Sequence, residues 1–116
     1  MPEPSYIPTP HSYSSAVIAG DTVYLGLHRG FGDSFAAQLA SAIESVSETL
    51  SRCELPLARL VSIRVWLRDI KDLPAMEKAF PAYFAPDHYP ARMTAVTEFH
   101  DADCLVMLEG IAYRGG

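Results

Sequence analysis

The run LVSIRVWLRDI constrains the fold more than any other stretch of this chain. Its apolar and polar residues alternate, so Val61, Ile63, Val65 and Leu67 share one face and Ser62, Arg64, Trp66 and Arg68 the other. A period of two is the signature of a strand. The first face is wholly apolar and requires a covering layer, which amphipathic helices can supply. The second face sets one large aromatic between two arginines, residue types enriched where protein surfaces meet. The expectation is a sheet with helices on one side and, on the other, either solvent or, as the tryptophan and arginines favour, another subunit.

The rest of the chain supplies the matching elements. Residues 1–12 are proline-rich and read as an extended arm lying on the domain or on a neighbour, ahead of a single domain over residues 13–116. SAVIAGDTVYLGL reads as two strands joined at Gly20-Asp21. The glycines of HRGFGD lack the spacing of a phosphate loop and serve chain reversal. Asp33 is placed to cap a helix whose apolar face is Phe35, Leu39, Ile43, Val46 and Leu50, with Gln38 on another face and Pro56 ending the pattern. Asp72 is placed to cap a second helix with the stripe Leu73, Met76, Phe80, Tyr83 and Phe84, which Pro81 must kink or split. A strand from Arg92 to about Glu98, a polar turn FHDAD and a last strand in CLVMLEGIAYR complete the chain. The order β-β-α-β-α-β-β specifies an α+β domain with two helices on one face of a mixed sheet.

Composition excludes several function classes. The chain has 116 residues, 49% hydrophobic and 20% charged, as expected of one globular domain. Its net charge of -5, with Arg59, Arg64 and Arg68 as the one local basic group, disfavours general nucleic-acid binding. Cys53 and Cys104 lack CxxC spacing and read as buried thiols in a reducing compartment. MPEPSYIPTP is not a signal peptide, no apolar run spans a bilayer, and a cytoplasmic location is expected. His11, His28, His88 and His100 show no metal-ligand spacing, so no metal site is expected.

The chemistry concentrates in YPARMTAV. Arg92 stands among apolar residues, and a guanidinium is costly to bury unpaired. Its planar fork suits a carboxylate, either that of a ligand or that of an internal residue. If FHDAD closes a hairpin between the last two strands, Arg92 lies opposite Glu109 and Thr94 opposite Met107. Glu109 would then orient Arg92 or hold a water as general base.

Four stretches, in order and spacing, resemble the RidA (YjgF/YER057c/UK114) family. YSSAVIAGDTVYLG is similar to its opening PYSQAV and the following strand, and VSIRVWLRDIKDLPAMEKAFPAYF to its strand-then-helix block. YPARMTAV resembles its PARS/T motif, and CLVMLEGIAY its closing LVEIEAIA. The resemblance covers Tyr13 to Arg114. It implies a chorismate-mutase-like fold and a homotrimer with clefts between subunits. It also implies hydrolysis of enamines and imines such as 2-aminoacrylate to 2-keto acids and ammonia, without metal or organic cofactor. The partners so implied are a small carboxylate-bearing imine or enamine, or a 2-keto acid.

Carried over residue by residue, the resemblance makes Arg92 the carboxylate ligand, with backbone groups near Thr94 positioning substrate and water. Tyr13 matches a tyrosine near the cleft. The sequence departs from the family at the water-activating glutamate, where Met107 stands and Glu109 takes the second position of the motif. A thioether cannot accept a proton at neutral pH. Gly26, Leu27 and His28 replace a family SGQ, so a pocket serine is missing, and His28 is expected to line the pocket because it follows directly on the second strand. Glu77 stands where the family often has asparagine, and the loop after His28 is shortened. The alternative function is a non-catalytic trimer that binds small carboxylates or protein partners.

Overall fold

The computed structural model describes residues 3–116. Six strands form one mixed sheet: β1 (Ser5–Pro8), β2 (Ser14–Ala19), β3 (Thr22–Arg29), β4 (Leu60–Leu67), β5 (Ala91–Val96) and β6 (Val106–Tyr113). Their spatial order is β1-β2-β3-β6-β4-β5, with β4 and β5 parallel and every other pair antiparallel. Helices α1 (Phe35–Arg52) and α2 (Leu73–Ala79) complete the fold. Neither is long and apolar enough to cross a membrane. The expected α+β domain is the observed one.

Leu39, Ile43, Val46 and Leu50 of α1 are buried against the sheet. Their counterparts are Val23, Leu25, Ile63, Val65, Leu108 and Ala112. Fully burying one such aliphatic side chain stabilises the fold by roughly 1.5–3 kcal/mol. The helix comes so near the end of β3 that a Cβ on Gly30 would enter the α1 backbone at Gln38, Ser41 and Ala42. Only glycine allows that approach.

Of the two places open to the arm, residues 5–8 take the domain itself, pairing with β2 as an edge strand, and the arm's first two residues lie outside the described residues. Several local expectations are corrected. Ser34, not Asp33, caps α1, accepting from Ala37 N at 3.1 Å. Asp72 precedes α2 in helical conformation and makes no side-chain cap, because a short 3-10 turn capped by Asp69 already leads in. Pro81 splits the second helix as expected: α2 ends at Ala79 and a 3-10 turn, Phe80–Ala82, follows. Val61 is 48% exposed, since a bulge between Leu60 and Ser62 breaks the alternation before Ile63. Gln38 is buried. Its amide donates to Gly32 O at 3.1 Å and Asp103 O at 2.8 Å and accepts from Leu105 N at 2.8 Å, tying the loop before β6 to α1.

The expected hairpin of the last two strands does not form. β4, α2 and β5 make a crossover unit, so β5 lies beside β4 with Ser62 opposite Ala91 and Leu67 opposite Val96. β6 then enters between β3 and β4, where both of its edges are hydrogen-bonded. Both backbone edges of β6 are satisfied there, whereas a hairpin on the outer side of β5 would satisfy only one.

Candidate functional site

Register settles which face each candidate occupies. Arg92 is opposite Ile63 and Thr94 opposite Val65, so both point to the helix-covered side. β5 is the edge strand beside β4, at the far side of the sheet from β1, and Arg92 therefore escapes the core at its margin. Its guanidinium lies 5.4 Å from the centroid of the Phe80 ring, and Nη1 is 2.7 Å from Glu77 Oε2. The Arg92 side chain is 30% exposed and that of Glu77 is 58%. The two residues line a cleft of about 350 Å³ walled by Phe80, Pro81, Tyr89 and Pro90. Five N–H donors in a fixed fork exceed what one exposed carboxylate engages. Nearby on the strand, Thr94 Oγ1 is buried and has no hydrogen-bond partner among the described residues.

Glu109 is not the partner of Arg92. β4 separates the two strands, and Glu109 lies opposite Arg64 on the open face of the sheet. Its Oε1 is 3.2 Å from Arg64 Nε and accepts the Trp66 Nε1–H at 2.7 Å, while Oε2 accepts from Arg64 Nη2 at 3.2 Å. The Arg64 guanidinium, helped by the indole, holds the Glu109 carboxyl below the usual carboxylate range against the opposing effect of burial. A carboxylate so held is a weak base. Met107 lies opposite Trp66 on β4, on the same open face, and Thr94 is not its register partner.

Tyr13, Gly26 and Met107 come together in a second, larger cleft of about 740 Å³, whose walls include Leu27, Arg29 and Phe31. Arg29 is fixed there. It donates to Asp101 Oδ2 at 2.7 Å and Asp103 Oδ2 at 2.9 Å, and its guanidinium is 4.4 Å from the Phe31 ring centroid. The hydrogen bond from Arg29 holds the Asp103 carboxyl below its ordinary value.

His28 does not line either cleft. It is 6% exposed and points into the layer between sheet and helix. Nδ1 is 2.6 Å from Gly26 O and Nε2 is 2.8 Å from Thr49 Oγ1. The carbonyl can only accept, so Nδ1 carries the proton and Nε2 of the neutral ring accepts from the threonine hydroxyl. Burial pushes the imidazole below its usual value. The cause is a bulge in β3 between Leu25 and His28, which turns Leu27 outward and His28 inward. Simple alternation assigns the opposite faces. The sequence marks Glu77 as a departure from the family pattern, but not its pairing with Arg92, and Arg29 carries no sequence signal for a place beside Tyr13, because each meets its partners only through tertiary contact.

Together these features define a class: a small α+β domain with a mixed sheet, helices on one face, and a part-exposed arginine at the edge strand. The sequence pattern of the endoribonuclease L-PSP family matches residues 5–114. The chain belongs to that family, also known as RidA/YjgF. A YjgF family member from Neisseria meningitidis superposes with a TM-score of 0.92 over 98% of this chain and 97% of that one, at 23% identity. A yjgF family member from Streptococcus pyogenes gives 0.88 at 28% identity, over 97% and 98%. RidA from an Antarctic Psychrobacter gives 0.83 at 27% identity, over 90% of each chain. A RutC family protein of Pyrococcus abyssi is 29% identical over 77 residues, which are 66% of this chain and 60% of that protein. The match thus spans less than two thirds of that relative's length.

Proposed function

We propose that this chain is an enamine/imine deaminase that holds its substrate's carboxylate on Arg92, in clefts between the subunits of a homotrimer. The carrying observation is the condition of Arg92: part exposed, in an apolar cleft, ion-paired only to an exposed glutamate among the described residues. A guanidinium fork grips a carboxylate through two parallel hydrogen bonds and so fixes the attached carbon.

With 2-aminoacrylate as substrate, the enamine tautomerises to the imine. Water adds to C2, and a proton passes from it to nitrogen. The hydroxyl proton of the resulting carbinolamine then passes to nitrogen as the C2–N bond breaks, so that ammonia leaves and C2 becomes the keto carbon of pyruvate. Arg92 contributes orientation at C2, and the rate gain arises mainly there. Backbone groups near Thr94 hold substrate and water.

The open sheet face supports the assembly. Tyr24, Leu27, Met93 and Tyr113 are exposed there, an apolar patch that further copies of the chain would cover. In such a trimer the Tyr13–Met107 cleft of an adjoining copy would close over Arg92 at the edge strand. Cys53 and Cys104 are both free and buried, in keeping with a reducing compartment, the cytoplasm.

A second reading rests on a specific feature. Met107 takes the place of the usual acid, and Glu109 is engaged by Arg64 and Trp66, so no free base is at hand on β6. A trimer that only binds small carboxylates or protein partners would have this form. One assay separates the two: 2-aminoacrylate is generated in situ and pyruvate is followed with wild type and Arg92→Ala. Acceleration by wild type, reduced toward the buffer rate by Arg92→Ala, is expected. A wild-type rate equal to buffer overturns the deaminase reading for that substrate and leaves the binding one.

A further inference from the structure

We infer that Glu77 makes this a site for zwitterions: the Arg92–Glu77 pair selects ligands that carry a cationic nitrogen next to their carboxylate over ligands that carry the carboxylate alone. The inference rests on the proposed role of Arg92 and adds to it the charge class of the ligand.

The pair has three properties that together lead to this selectivity. Arg92 Nη1 and Glu77 Oε2 meet at 2.7 Å, so Glu77 already occupies part of the fork that a ligand carboxylate needs. Both groups line one cleft, and the remaining walls there are Phe80, Pro81, Tyr89 and Pro90. No second cation lies within ion-pair distance of Glu77 among the described residues. A simple anion that takes the free donors of Arg92 therefore lies beside Glu77, which faces the ligand's negative charge. A ligand with an ammonium or iminium beside its carboxylate gives Glu77 a new counter-charge in the same step. Both charges of such a ligand are paired within the cleft, and like charges are not left facing one another.

For the proposed reaction, the favoured form is the protonated 2-iminium carboxylate, in which C2 is most electrophilic. Glu77 would accept hydrogen bonds from the iminium N–H while Arg92 holds the carboxylate. The 2-keto acid product has no cation, so the same pair favours its release.

Alanine and pyruvate share a three-carbon skeleton and differ in this charge. Their affinities for wild type, Glu77→Gln, Glu77→Ala and Arg92→Ala are measured by NMR titration, each variant first checked for a folded spectrum. Wild type is expected to bind alanine more tightly than pyruvate. Glu77→Gln and Glu77→Ala are expected to bind pyruvate about two- to fivefold more tightly, the range of a surface ion pair, and alanine more weakly. Arg92→Ala is expected to weaken both. An unchanged alanine-to-pyruvate ratio in both Glu77 variants, with Arg92→Ala still weakening both ligands, overturns the inference and leaves the role of Arg92 standing. Binding unaffected by Arg92→Ala, or no binding of either ligand to wild type, overturns both.

Discussion

Arg64 and Glu109 are register partners across β4 and β6, and their charged groups meet at 3.2 Å on the open face of the sheet. The Glu109 carboxyl is held below its ordinary value of 4.5, chiefly by the Arg64 hydrogen bond. A lowered folded value means that the contribution is complete above 4.5 and is lost as pH falls through the folded value. Glu109→Gln is expected to cost about 1 kcal/mol near neutral pH and to flatten the acid limb of stability. Urea unfolding of both proteins from neutral pH down to below the ordinary carboxylate value checks it; parallel acid limbs would contradict it.

His28 titrates with the same sign for a different reason. Burial favours its neutral form, so its folded value lies below 6.5. Stability is expected to be full above 6.5 and to decline as pH falls through the folded value, because the unfolded chain takes up the proton first. His28→Gln, which retains hydrogen-bonding groups toward Gly26 and Thr49, is expected to lower stability at neutral pH and remove this part of the pH slope. Chemical denaturation above and below that window is the measurement.

Gly110 lies opposite Ile63 where β6 pairs with β4. A Cβ there would enter the Ser62 carbonyl, a backbone atom that cannot swing aside. Gly110→Ala is expected to destabilise the domain by about 1–3 kcal/mol, the usual cost of overpacking. Thermal unfolding should show a lower midpoint, and an unchanged midpoint would refute the close packing of these strands.

Met107 lines the cleft with Tyr13 and Gly26, and a carboxylate at its position would face that space. Met107→Glu is expected to raise the rate of pyruvate formation from 2-aminoacrylate by about 10²-fold or more, the lower range for a positioned general base. No gain would show that the arrangement around the substrate differs from the proposed one.

Tyr24 stands exposed on the open face, opposite Ile111. Placing a charge there, as in Tyr24→Asp, is expected to convert a trimer to monomers by light scattering and to reduce pyruvate formation with it. A wild-type monomer would remove the between-subunit cleft altogether.

The secondary structure was largely legible along the chain. The face of α1 from Leu39 to Leu50, the alternation from Ile63 to Leu67, the Gly20-Asp21 turn and the split at Pro81 all follow from local spacing, and local spacing is what sequence displays. Arg92 was likewise conspicuous, since a charged group among apolar neighbours demands a partner. Its actual neighbour, Glu77, and its separation from Glu109 were not legible. The hairpin assumption paired β5 with β6, whereas the α2 crossover puts β5 beside β4. That one difference moves Glu109 to the other face of the sheet. The bulge at Gly26-Leu27 did the same to His28, since a single extra residue inverts every face after it.

The sequence by itself determined the elements, their order and the apolar faces, because those depend on backbone periodicity and on residues a few positions apart. The tertiary structure alone decided which strand lies between which, and therefore that Arg92 meets Glu77 while Glu109 meets Arg64 and Trp66. Strand order is chosen by competition among ladders far apart in the chain, and no local pattern records its outcome.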